Sequence, residues 1–450
     1  MNLHAMLRAR AEAGEPVRIG LIGAGKFGAM FLAQAARTPG LHVMAIADLS
    51  LERARDACRR AGWTEEVCAA ADFATARASG AAHLTEDAAA LIAADGLDVV
   101  IEATGNPAAG IGHALAAFAA CRHVVMVTVE GDALAGPLLA RRAREAGVVY
   151  SLAYGDQPAL ICELVDWARA AGFEVVCAGK GTKYRPEYHA STPETVWDHY
   201  GLSAEDAAAD GLNPQMFNSF LDGTKSALEM AAVANACGLA PQVHGLGFPP
   251  AAADELANVC RPRGDGGALE RSGTVEVVSS ETRDGRTLAH DLRWGVYVAF
   301  EAADDYVRRC FAEYGLATDD SGRYAAMYRP GHLIGLELGI SVAAVALRGE
   351  PTGCPRAFRA DVAAVAKRAL APGDTLDGEG GYTVWGRLMP AADSLGLGAL
   401  PLGLAHGVRL RNAVAEGAVL RWDDVAFDAA DPTVAFRREM EAAFADGGQG

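Results

Sequence analysis

Apolar and polar positions alternate along this chain in blocks, and the blocks change character twice. The first apolar run, residues 17–22, ends in Gly23-Ala24-Gly25-Lys26-Phe27-Gly28. Small and apolar residues suited to a helix follow over 29–37, and a second apolar run, 41–47, ends at Asp48. Further runs at 99–101 and 123–129 bracket a helical stretch at 108–120. Short continuous apolar runs separated by helical stretches predict buried parallel strands with crossover helices. From about 160 the rhythm is mixed: helix 159–171, strand 173–178, a polar loop, helix 216–236, and strand-like pieces at 274–279, 294–300 and 333–348. Residues 280–290 and 318–323 read as hairpin or loop material. A linker is expected around 351–356, then turn-bounded segments at 369–376 and 413–425, and from 431 a polar tail that reads as a terminal helix.

The glycine-rich turn carries the most specific chemistry. Gly23 permits a tight turn, Gly25 lets backbone approach a pyrophosphate, and Gly28 lets helix and strand pack closely. The free N–H groups and dipole of the following helix then face the phosphates, with Lys26 and Phe27 in its first turn. Asp48, twenty residues after Gly28, would accept hydrogen bonds from the adenosine ribose. Strand, turn, helix and acid all agree, so the reading is an NAD(P) site. Asp48 would repel a 2′-phosphate and favours NAD, although Ser50, Arg53 and Arg55 just beyond it could serve NADP. The loop Thr104-Gly105-Asn106 after the run at 99–101 is expected on the nicotinamide side, and its residues also suit turn chemistry before a helix.

Composition narrows the partners. At 450 residues about three domains are expected, and the apolar stretches are all broken short of a membrane span. The N-terminus lacks the apolar core and cleavage site of a secretory signal. Nine scattered cysteines without a Cys-x-x-Cys spacing suit reduced thiols in a cytoplasmic protein. With a net charge of −17 and no basic stripe, a nucleic-acid partner is not expected. A small anionic substrate would have to be met by a few local cations.

Long matching blocks then resemble known enzymes. IGLIGAGKFG, IEATGNP and HVVMVTVEGD resemble the cofactor domain of homoserine dehydrogenases. VEGDALAGPLL (129–139), YGDQPA (154–159), AGKGTKY (178–184), FLDGTKSALEMAAVANACGL (220–239) and YRPGHLIGLE (328–337) resemble homoserine dehydrogenase-like oxidoreductases ending in a SAF domain. That group includes the 1-deoxy-D-xylulose-5-phosphate reductoisomerase-like (DRL) enzymes. The resemblance implies an α/β protein: a Rossmann-type NAD(P) domain with an N-terminal helix at 1–158, an α+β substrate domain at 159–350, a small β SAF-like module at 351–430 and a tail at 431–450. It also implies a homodimer. Departures from true homoserine dehydrogenases weigh against homoserine as substrate. Glu130 stands where their lysine would be, Lys180 where they have Asn, and Lys225 and Glu229 interchange their catalytic Asp and Lys.

Candidate catalytic residues follow from charge in unusual places. Hydride transfer needs a group for the hydroxyl proton, and Lys225, Lys180 and His189 are the candidates. Lys225 leads because its helix otherwise reads apolar, with Glu229 one turn away. The stretch 179–197 gathers Lys180, Lys183, Arg185 and His189 into a loop suited to an anion clamp, with Glu187 and Glu194 as alternative salt-bridge partners. Asp156 and Asp222, in two of the blocks above, and Glu130 join Lys183 and Arg185 as substrate contacts. Glu130 and Asp132, spaced i, i+2 at a strand end, are weak candidates for a divalent metal, which a reductoisomerase would use. His332 is expected to tie strands together. The leading reading is an NAD(P)-dependent oxidoreductase of a small anionic polyol, hydroxy acid or sugar phosphate, with a reductoisomerase as one form. Homoserine oxidation and a non-catalytic NAD(P) sensor or scaffold are the alternatives.

Overall fold

The computed structural model describes residues 2–209, 211–428 and 430–445, so the last five residues of the expected tail lie outside the described residues. The chain divides into two compact units, one from 1–160 and 332–355, the other from 161–331 and 356–449. The expected 159–350 segment is thus interrupted at 332–355. No helix among the described residues is long and apolar enough to cross a membrane.

The first unit holds six strands: β1 (Val17–Ile22), β2 (Leu41–Ala47), β3 (His83–Thr85), β4 (Val99–Glu102), β5 (His123–Met126) and β6 (Tyr150–Leu152). They pair in the order β3-β2-β1-β4-β5-β6, each pair parallel. This is the doubly wound α/β arrangement that the alternating runs predict, and the strand order reverses at β1 and β4. The strands read as unbroken apolar runs because helices cover both faces; Ile19, Leu21, Ile46 and Ile101 are fully buried with Phe31 and Leu32.

One expectation fails here. Residues 333–348 do not form a strand; turns lead into the helix Gly339–Arg348, which ends at Gly349 with φ +66°. Leu338, Val342 and Val345 recur at helical spacing and pack into the core of the first unit. The segment is apolar apart from Glu337, Ser341 and Arg348, too few polar positions to separate a helical period from a strand's. His332, just before these turns, lies in a loop.

The second unit is built on β7 (Glu174–Thr182), β8 (Thr274–Ser279), β9 (Val296–Glu301) and β10 (Tyr324–Arg329), in the order β10-β9-β7-β8. β7 runs parallel to β8 and antiparallel to β9. The expected helix at 216–236 is two helices, Pro214–Leu221 and Thr224–Cys237, separated by Asp222 and by Gly223 at φ +88°. Further strands complete the unit: β11 (Ala360–Ala366), β12 (Thr375–Asp377), β13 (Val384–Pro390), β14 (His406–Leu410) and β15 (Val425–Ala426). β11 pairs with β13, and β12, β14 and β15 form a second small sheet.

The polar tail docks as the helix Pro432–Ala443 through a buried charge. The Arg437 guanidinium is fully buried and meets Asp361 of β11 at 2.7 Å, with Glu441 at 2.9 Å. Ser394 also donates to Asp361. Removing one partner of such a pair leaves an uncompensated buried charge. Arg437→Met should therefore cost about 3–5 kcal/mol of stability, read by urea denaturation, and adding Asp361→Asn should recover much of it. Equal stability of Arg437→Met and wild type would contradict this account.

Candidate active site

In the first unit the glycine turn has the geometry a dinucleotide needs. Gly23 sits at φ +98°, and a Cβ there would lie 2.4 Å from the Ala103 carbonyl oxygen. A Cβ on Gly28 would lie 2.6 Å from the Gly23 carbonyl oxygen, which is the close helix–strand packing expected. Gly25 differs: it is exposed, and a Cβ would meet nothing within 4 Å. Its role is to leave space rather than to fit. Gly25 is the N-cap of the helix Lys26–Ala35, with Lys26 exposed and Phe27 half-buried in the first turn. Asp48 ties the turn together: it accepts from Ala24 N at 2.9 Å and Ser50 N at 3.0 Å, and pairs with Arg53 at 2.8 Å.

The end of β4 carries a network that the motif reading left without a role. Glu102 is fully buried and accepts from the hydroxyls of Thr104 and Thr128, with His113 Nδ1 at 3.3 Å. Thr128 in turn accepts from Gly105 N at 3.0 Å. Asn106 caps the helix Pro107–Ala119 through Ala109 N. Thr104, Gly105 and Asn106 are thus held as one rigid loop by a carboxylate at the end of an apolar strand, the one signal that pointed there.

Glu130 and Asp132 depart from expectation. Both lie in the first turn of the helix Val129–Glu145, not at a strand end. Two residues apart on a helix they point about 200° from one another, so they cannot grip one ion. Asp132 is fully buried, accepts from Tyr150 Oη at 2.8 Å and leaves its other oxygen without a partner. Burial pushes its carboxyl up to about 7, against the pull of the tyrosine hydrogen bond. No group of three or more His, Cys, Asp or Glu able to hold a metal occurs among the described residues. The residues present do not fit the metal. Asp156, also in the first unit, is nearly buried and accepts from Gln157 N.

In the second unit the cations of the expected anion clamp are answered by acids. Lys180, on β7, forms a buried ion pair with Glu229 of the helix Thr224–Cys237. Glu229 is therefore held from the neighbouring strand, not by its helical neighbour Lys225. Lys183 meets Glu281 at 3.0 Å, and Arg185 meets the same carboxylate at 3.6 Å and Glu187 at 3.3 Å. Lys225 stands apart by position: from Thr224 to Ala236 it is the one residue of its helix that keeps access to solvent. A cation in the first turn also works against the helix dipole.

His189 and Asp222 come together as a structural junction. His189 Nδ1 donates to the Asp222 carbonyl at 2.7 Å, and its Nε2 accepts from Tyr184 Oη at 2.9 Å. Burial lowers the pKa of the imidazole. The Asp222 carboxylate is fully buried and meets Lys367 at 2.8 Å; Lys367 also donates to the Ser191 and Gly381 carbonyls. Lys367 was not singled out from sequence, where its only signal is a lysine directly after the apolar run of β11.

Comparison with protein families agrees with this division. Residues 17–130 match the oxidoreductase family with an NAD-binding Rossmann fold (GFO/IDH/MocA). Residues 155–338 match the catalytic domain of oxidoreductase DRL. The chain thus carries the two parts of an NAD(P)-dependent oxidoreductase, a nucleotide domain and a catalytic domain. No curated protein matches the chain. Among solved structures, myo-inositol dehydrogenase from Lactobacillus casei, in complex with NAD(H) and myo-inositol, aligns at 16% identity over 40% of this chain and 50% of its own, with a TM-score of 0.29. Biliverdin reductase from Synechocystis sp. PCC 6803 aligns at 20% identity over 38% and 48%, TM-score 0.27. A probable dehydrogenase from Thermotoga maritima aligns at 14% identity over 74% and 90%, TM-score 0.36. The alignments thus span about half the length of the first two of these structures. The two family matches, and not these superpositions, carry the assignment.

Two measurements check this geometry. Gly23→Ala should destabilise the protein, because the new Cβ meets backbone at a positive φ. Gly25→Val should leave the melting temperature unchanged yet weaken NAD(P)H binding at least tenfold; a Gly25→Val variant that binds like wild type would refute the open-face account. Asp132 predicts a pH dependence. The folded state keeps its proton from the ordinary value of 3.8 up to about 7, while the unfolded state loses it near 3.8. The folded state binds more protons in that window, so stability falls as pH rises through it. Asp132→Asn should make that fall shallower in denaturation curves between pH 4 and 7, and identical slopes would exclude it.

Proposed function

We propose that this chain transfers hydride between NAD(P) and the hydroxyl or carbonyl carbon of a small anionic polyol, hydroxy acid or sugar phosphate. A reductoisomerase of the 1-deoxy-D-xylulose-5-phosphate type is one form of that reaction. The observation that carries the reading is the joining, in one chain, of the Gly23–Gly25–Gly28 turn and Asp48 to a DRL catalytic domain whose buried helix opens to solvent at Lys225.

NAD(P), when bound, supplies or accepts the hydride. The Gly25 N-cap and the first turn of Lys26–Ala35 hold the pyrophosphate, and Asp48 takes the ribose hydroxyls. Its carboxylate disfavours a 2′-phosphate, which supports NAD, while Arg53 at 2.8 Å offsets part of that charge. Lys225 donates or removes the hydroxyl proton. Glu229 and Lys180 neutralise one another beneath it and fix the helix against β7. The substrate-side candidates are Glu130, Asp156, Lys183, Arg185 and Asp222, and each of them also has partners inside the protein.

The discriminating experiment screens sugar acids, polyols and 1-deoxy-D-xylulose 5-phosphate with NAD(H) and NADP(H), following absorbance of the reduced nicotinamide. With the substrate found, Lys225→Met should lower kcat by about 10²–10⁴-fold, the usual worth of a general acid or base, with NAD(P)H affinity retained. Undiminished kcat would remove Lys225 from the chemistry. Binding of NAD(P)H with no turnover on any member of the panel would favour a sensor.

A further inference from the structure

A cavity of about 310 Å³ in the second unit is lined by His189, His244, Phe248, Trp385, Arg387 and Leu388, with Ala227 and three glycines. No acid lines it. In a chain whose acids outnumber its basic residues 57 to 40, almost every half-buried cation described above is met by a carboxylate. Arg387 is not. It is half-buried, its Nε is enclosed without a hydrogen-bond partner, and no carboxylate among the described residues pairs with it. A buried donor left unmet costs free energy, so the fold keeps Arg387 available at a price in stability.

The walls complete a receptor. Trp385 and Arg387 are two apart on β13 and so share a face of the strand. The indole stacks on the His189 ring with centroids 3.8 Å apart, and Phe248 stacks on Tyr184 at the same distance. Phe248 holds φ +48°, a conformation that bulky residues avoid. The buried Glu276 carboxylate pins it there by accepting from the N–H groups of Gly247 and Phe248. Strain held by its surroundings is a feature of ligand sites.

The cavity is not the Lys225 site. Lys225 and Glu229, four apart, share a helix face; Ala227 lies midway and points about 200° from each. Since Ala227 lines the cavity, the cavity lies against the opposite side of that helix.

We propose that this cavity binds a small organic anion, a carboxylate or phosphate monoester on a flat apolar body, with Arg387 on the anionic group and the body against Trp385. The site is separate from the face that bears Lys225, and its occupant touches the helix from behind. The inference does not rest on the proposed hydride transfer.

The test is calorimetric titration of the full-length protein with benzoate, phenyl phosphate and the neutral control benzyl alcohol. Saturable binding of benzoate or phenyl phosphate is expected, and which of the two binds tighter reports whether carboxylate or phosphate is preferred. Arg387→Gln should raise Kd at least tenfold without lowering the melting temperature, which shows that the variant is folded. Lys225→Met should bind the anion like wild type. The proposal is overturned if neither anion binds wild type at millimolar concentration, if benzyl alcohol binds as tightly, if Arg387→Gln binds normally, or if Lys225→Met loses the anion.

Discussion

Helix Thr224–Cys237 is buried over almost its whole length, and a buried charge persists only where something answers it. That constraint arranges the second unit. Glu229 is answered by Lys180 from β7, and Asp222, just before the helix, is answered by Lys367 after β11. Each pair ties the helix to a different sheet, so the charges fix its position from two sides. Pairs of this kind contribute little net stability when formed but are expensive to break. They therefore act as register pins rather than as a source of stability. Lys225, the one residue from Thr224 to Ala236 that keeps access to solvent, is not under that constraint, because water reaches its charge.

The first unit handles buried carboxylates differently. Glu102 is satisfied by hydroxyls and a histidine, without a lysine or arginine. Asp132 has one tyrosine hydroxyl and holds its proton well above the ordinary carboxylate range. Neutral hydrogen bonding suits a nucleotide domain, because a buried cation beside the β4 loop would compete for phosphate. Glu276 in the second unit follows the same rule: it is raised to about 7 by burial and spends its oxygens on backbone N–H groups. A carboxyl used this way is a shaping element, holding Phe248 in a backbone conformation it would not otherwise adopt.

Legibility in the sequence followed locality. The glycine turn, Asp48 and the parallel strands were readable because each signal lies at a fixed, short spacing from its partner: Gly28 packs on Gly23 five residues back, and Asp48 reaches back to Ala24 across a single strand–helix–strand unit. The fold of the second unit was readable only in outline. Its organising contacts join Lys180 to Glu229, Asp222 to Lys367 and Asp361 to Arg437, residues far apart in the chain that no spacing rule connects. The basic loop looked like an anion clamp because the acids opposite Lys180 and Lys183 come from elsewhere in the chain. The misread run at 333–348 failed for the opposite reason: its few polar positions, Glu337 and Ser341, are too sparse to show a period.

The same long-range pairing explains why Arg387 carries more meaning than a richer cluster of cations would. In an acid-rich chain most of the cations lining the second unit's charged clusters are met by carboxylates, and leaving the half-buried Arg387 guanidinium without one requires that the neighbouring positions be something else. The lining meets that requirement with glycines, aromatics and Leu388. A neutralised cluster such as Lys183, Arg185 and Glu281 binds an outside anion only by giving up an internal partner. Arg387 has no such partner to lose. An incoming anion there exchanges water for a guanidinium already desolvated on one side, so the free energy of the new contact is not spent on breaking an old one. By that argument, recognition of a small anion in this protein is set less by where positive charge is concentrated than by where it has been left uncancelled.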